Sequence, residues 1–191
     1  MSKTIHELVP SITYIRGCVK CLYLVRRQEL GSTAACVGDA TSVRPNYIDE
    51  LVEPGCNNIG AEPKCLYVKT YMKITGLNEE GIAREYLETS WKAIEYINEN
   101  YRDEVYLGIG LVYNKELVTL DEIAEAGKRI AGIDPNIQVT VLDYFPAFRR
   151  RNLKRPSVNE MLMVKRVLEE QGLRTVIVQT ERGHVGPNAR A

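Results

Sequence analysis

Nowhere in this sequence do about 18 apolar residues follow one another, the length a helix needs to cross a bilayer, so no membrane span is expected. The opening MSKTIHELVPSITYIRG lacks an apolar run long enough for the core of a signal peptide, and a cytoplasmic location follows as the expectation. A surplus of either charge is also missing, because Lys plus Arg and Asp plus Glu both number 25. Neutralising a phosphate backbone needs a cationic surplus, which makes nucleic acid an unlikely partner on composition. No GxGxxG or Walker-type loop occurs. The GIG at 108–110 falls inside a strand pattern rather than at a strand-to-helix turn, so it is not a phosphate cradle. Cysteines number five, an odd count that in a reducing compartment favours thiols or metal ligands over a disulfide framework.

What is present is ordinary globular material: 191 residues, 45% hydrophobic and 26% charged, enough for one core with an appendage. Residues 1–64 read as an irregular N-terminal segment holding Cys18, Cys21, Cys36 and Cys56, with short apolar stretches at Ser11–Ile15 and Leu22–Val25 and one helical turn near Tyr47–Val52. Residues 65–191 are regular. CLYVKTYMKI reads as a buried strand containing Lys69 and Lys73. The helix that follows carries the stripe Ala83, Tyr86, Leu87, Ser90, Ile94, Ile97 and Tyr101, with Glu79 and Glu80 at its dipole-favoured start. EVYLGIGLVYN is a near-continuous apolar strand of the kind covered on both faces. Capping boxes Thr119 to Glu122 and Ser157 to Glu160 open two more helices, which stop at Gly132 and Gly172. NIQVTVLDYF and RTVIVQT are strands, and ERGHVGPNARA is a tail. The order βαβαβαβ predicts an α/β fold with parallel strands, either an open sheet or part of a (βα) barrel.

Four stretches in series carry a family resemblance: YVKTYMKITGL, EVYLGIGLVYN, IDPNIQVTVLDYFPAFRRRNLKRPS and EEQGLRTVIVQTERGHVGPN. Over roughly residues 65–188 their order and spacing resemble the C-terminal half of radical-SAM proteins of the pyruvate formate-lyase activating-enzyme type. The resemblance implies a partial βα barrel whose reacting side is the rim at the C-terminal strand ends. It further implies a [4Fe–4S] cluster on a CxxxCxxC motif, with S-adenosylmethionine chelated to the fourth iron. The chain departs from that pattern. No CxxxCxxC occurs; in YIRGCVKC, Cys18 and Cys21 have the right spacing, but Tyr14 stands at the first position. Lys69 falls on the Lys of the family's DxK strand, Tyr67 on its Asp, and Phe145 where a His is common. A truncated, split or degenerate member is the expectation.

Each candidate residue has a sharp and a bland reading. Cys18 and Cys21, with Cys36 as third thiol, are the candidate metal ligands; the bland reading is buried thiols beside a short strand. Cys56, in the turn PGCNN, is expected to be exposed, and Cys65 to lie in the core. Lys69 either points to a ligand from a strand end or faces solvent. Asn114, Asp143 and Tyr144, at strand C-terminal ends, are candidates for lining a cofactor-binding cleft, against turn chemistry and a helix-end contact. Arg149, Arg150, Arg151, Lys154 and Arg155 place five cations in seven residues next to Phe145 and Phe148. Their sharp reading is an anion or nucleic-acid contact with aromatic stacking; the bland one is a solvated loop balanced by the acidic helix after it. His184, between Gly183 and Gly186, reads as a surface histidine rather than a general base. No catalytic residue is assigned. Three functions stay open: a radical-SAM enzyme or half-enzyme, a non-catalytic barrel section that needs a protein partner or a second copy to cover its unpaired edges, and an unrelated α/β enzyme using Asp143 and Lys69 in a cleft.

Overall fold

The computed structural model describes residues 45–53, 55–146 and 151–187. In chain order the elements are α1 (Pro45–Val52), β1 (Asn58–Lys64), α2 (Val68–Thr75), α3 (Glu80–Tyr101), β2 (Tyr106–Tyr113), α4 (Leu120–Ile133), β3 (Gln138–Asp143), α5 (Val158–Glu170), β4 (Val176–Thr180) and β5 (Gly183–Val185). The strands make one mostly parallel sheet in the order β1-β2-β3-β4-β5, so the protein is of the α/β class. Strands β3 and β4 are parallel, with Val139 opposite Val176 and Val141 opposite Val178. Strand β5 runs antiparallel to β4, His184 facing Gln179.

By contact density the described residues divide into two compact units, those up to 62 with 88–108, and those at 63–87 with the ones from 109 onward. In the first, Ile48 and Leu51 of α1, Ile59 and Ala61 of β1 and Trp91, Ile94 and Ile97 of α3 are buried. There Asp49 of α1 accepts hydrogen bonds from the Tyr96 hydroxyl at 2.8 Å and the Tyr101 hydroxyl at 2.5 Å. In the second unit the core comes from Leu111 of β2, Ile123 and Ile130 of α4, Val139 and Val141 of β3, Met161, Val164 and Leu168 of α5, and Val176 and Val178 of β4. Helices α4 and α5 meet at Gly127, where a Cβ would stand 2.8 Å from Leu168 Cδ2.

Besides β1, which forms where the sequence reads as loop, two segments differ from the sequence expectation. CLYVKTYMKI is not a strand: β1 ends at Lys64, and the apolar run belongs to α2. An apolar run this short is compatible with either state, and three tertiary features settle it. Thr70, Tyr71 and Ile74 are buried at helical spacing while Lys69 and Lys73, four apart, face solvent. At the C-terminal end Gly76 takes φ 78° and its N–H bonds Met72 O. At the other end the Glu122 carboxylate accepts from Leu66 N and Tyr67 N, both at 3.0 Å, and from the Thr70 hydroxyl at 2.7 Å. A carboxylate at a helix start meets both the orphan N–H groups and the dipole. The second segment is the tail, which contributes β5 through a tight turn at Gly183, φ 111°.

Candidate functional site at the strand ends

Three polar side chains are buried at the C-terminal ends of successive strands: Asn114 directly after β2, Asp143 as the last residue of β3, and Thr180 as the last of β4. Upstream of them the inward positions of β3 and β4 are apolar. Burying a polar group costs free energy unless a partner meets it, so the bonds of each residue show what it is there for.

Asn114 is spent on the loops. Its Nδ2 donates to Tyr144 O and to Lys154 O, each at 2.9 Å, and its Oδ1 accepts from Glu116 N at 3.0 Å. It thereby ties the end of β2 to the segment after β3 and to the segment before α5. Thr180 closes the β4–β5 turn, donating to Gly183 O at 2.7 Å and accepting from Arg182 N at 3.1 Å. Tyr144 is half-buried and acts through its backbone, its N–H bonding Tyr113 O at 2.9 Å.

Asp143 is different. Its side chain is wholly buried, and Oδ2 accepts from Arg155 Nε at 2.7 Å. Oδ1 has no hydrogen-bond partner among the described residues. The Arg155 guanidinium lies 5.0 Å from the centroid of the Phe145 ring, within cation–π range, and the ring is exposed. Lys115, next to Asn114 in sequence, bridges to Glu160 at 3.0 Å. Glu160 also completes the Ser157 capping box, and those bonds hold its carboxyl at about 2, well below the usual carboxylate range.

Of the residues expected to line a cleft, the structure brings Asn114, Asp143 and Tyr144 together, and it adds Arg155 and Thr180. Lys69 stands elsewhere. It lies exposed on α2 instead of ending a strand, because Glu122 and Gly76 cap that segment as a helix. Thr180 was legible as the polar end of the apolar run TVIVQT before a glycine turn. Nothing local marked Arg155 as the partner of a residue twelve positions away.

The cysteines divide. Cys18, Cys21 and Cys36 lie outside the described residues, as do Phe148, Arg149 and Arg150. Cys56 is buried, contrary to the exposed turn expected of PGCNN, since its thiol points back to Asn58 O at 3.7 Å. Cys65 is buried and donates to Tyr67 O at 3.6 Å; burial, and then the Glu122 charge, push its thiol far above the ordinary value. Among the described residues no group of three His, Cys, Asp or Glu is arranged to hold a metal.

No protein-family model and no curated protein matches this chain. No helix among the described residues is long and apolar enough to cross a membrane.

Proposed function

We propose that this chain is the rear section of a βα barrel of the radical-SAM activating-enzyme type, in truncated or split form, and that its strand ends make the ligand-facing rim. The observation that carries the reading is the set of buried polar residues at three consecutive strand ends, Asn114, Asp143 and Thr180. In parallel α/β folds that rim is where ligands are bound.

Within that reading, Asn114 fixes the loops, Asp143 offers a buried acceptor, and Arg155 with Phe145 frames it. A [4Fe–4S] cluster, if held by Cys18, Cys21 and Cys36, would supply the electron that cleaves S-adenosylmethionine. A separate protein or a second copy of this chain would then complete the barrel.

Anaerobic reconstitution of the full chain with iron and sulfide tests this directly. A brown protein that binds S-adenosylmethionine by calorimetry, and loses iron in Cys18→Ala and Cys21→Ala, is the expected result. A colourless protein without affinity for the cofactor would remove the enzymatic reading. The second reading, a non-catalytic barrel section serving as a subunit, would then stand, favoured by Asn114 and Thr180 being consumed by loop closure.

A further inference from the structure

Arg155 uses one of its five N–H donors. Nε bonds Asp143 Oδ2, while the four donors on Nη1 and Nη2 have no acceptor among the described residues. If Arg155 served only as counter-ion to a buried carboxylate, the favourable geometry would be the two-pronged one, each prong taking one oxygen. That geometry is not adopted: Asp143 Oδ1 has no partner although its neighbour carries unused donors. The guanidinium is instead held at its Nε edge by Asp143 and on one face by the Phe145 ring, and 36% of its side chain is open to solvent. What remains without an acceptor among the described residues is the Nη pair.

We infer that Arg155 is an oxyanion-binding residue of the rim, with Asp143 and Phe145 as the residues that position it. Two adjacent Nη groups present parallel N–H donors at the spacing of two coplanar oxygens, the recognition face of a carboxylate or a phosphoryl group. The orienting cost is met in advance, since the carboxylate behind and the ring beside already fix the plane, and preorganisation of that kind converts directly into affinity. Lys154 next to it in sequence is exposed and raises the local positive potential. The segment that carries both is fixed by Asn114 Nδ2 bonding Lys154 O. The ligand class is a small molecule bearing a carboxylate or phosphoryl end. The inference shares the rim with the proposed function but depends on no cluster.

The test uses the full chain, iron-free, with its arginines labelled with nitrogen-15. Sodium acetate and inorganic phosphate are titrated in separate arms at constant ionic strength, with chloride as control, while the Arg155 Nε–H resonance and the Phe145 ring signals are followed. Saturable shifts with acetate alone assign a carboxylate, with phosphate alone a phosphoryl group, and with both the shared two-oxygen face. Arg155→Lys keeps the charge and removes the fork; the Phe145 signals should then report affinity at least tenfold weaker. Asp143→Asn, which loosens the guanidinium, should weaken it several-fold. Failure of both oxyanions to saturate in the wild type, or equal affinity in Arg155→Lys, overturns the inference. Should Arg155→Lys not fold, the wild-type titration decides alone. Since no iron is present, either outcome leaves the reconstitution experiment independent.

Discussion

Arg155 Nε donates to Asp143 Oδ2 at 2.7 Å, and this single bond is all that the buried carboxylate receives from the described residues. Among the described residues, Arg155 is therefore the group that compensates the buried charge of Asp143.

Removing the cation alone should hurt more than removing both charges. Arg155→Met should lower the stability of the fold by about 2–3 kcal/mol, below the fully buried case because the arginine is partly exposed. Asp143→Asn combined with Arg155→Met should recover at least half of that loss. Urea unfolding of the two variants checks this, and a double variant no more stable than the single one refutes it.

Glu122 holds the start of α2 from a position more than fifty residues further along the chain. Glu122→Ala removes three hydrogen bonds to a charged acceptor and should cost about 2–3 kcal/mol. Amide exchange should accelerate first at Leu66 and Tyr67, whose N–H groups lose their acceptor, rather than uniformly across the sheet.

The capping carboxylate of α5 gives a pH dependence of defined sign. Glu160 has its pKa lowered from 4.5 to about 2, mainly by the backbone and hydroxyl of Ser157 and then by Lys115. Its contribution is thus fully present above pH about 4.5 and is lost as pH falls through about 2. Glu160→Gln should lose about 1 kcal/mol at neutral pH, and its stability should fall less steeply than wild type across that window. Parallel acid titrations of unfolding midpoints would show it; identical slopes would contradict the assignment.

Cys56 and Cys65 should resist alkylation in the folded protein and react only after denaturation. Both are 2% exposed, and burial holds the Cys65 thiol in its protonated, unreactive form. Mass spectrometry after an iodoacetamide pulse at pH 8 reads this out site by site. Rapid labelling of Cys65 without denaturant would show its environment to be wrongly described.

At the α4–α5 contact, Gly127→Ala should destabilise. The added methyl would sit 2.8 Å from Leu168 Cδ2 and 3.2 Å from Gln171 Cγ. Overpacking against a fully buried leucine costs about 1–3 kcal/mol, and the better helix propensity of alanine returns about 1 kcal/mol of it. A thermal melt with a raised midpoint would mean that Leu168 moves aside freely.

The sequence was legible where local signals agreed. The strands β2, β3 and β4 stood out as apolar runs, and α3, α4 and α5 as helical stripes, two of them opened by Ser or Thr three residues before a Glu. It failed where a distant residue decided. Val68–Thr75, within the run expected to be a strand, became a helix through Glu122, whose own capping box is only half formed: Thr119 accepts from Glu122 N, but the carboxylate leaves to serve α2. The Lys69 and Lys73 spacing of four was the one local hint. Strand β1 hid behind Gly60 and Pro63, which read as loop, although its burial alternates. At the site, the position of Asn114 and Asp143 at strand ends was readable, but their roles were not. Which of the two is satisfied and which is left with an open oxygen depends on segments 12 to 40 residues away.

Strand β5 is three residues long and runs against the direction of β4. It occupies the hydrogen-bonding edge that another parallel strand would need, and it is too short to offer a useful edge of its own. A partner that completes the proposed barrel would therefore have to displace β5 in order to pair with β4.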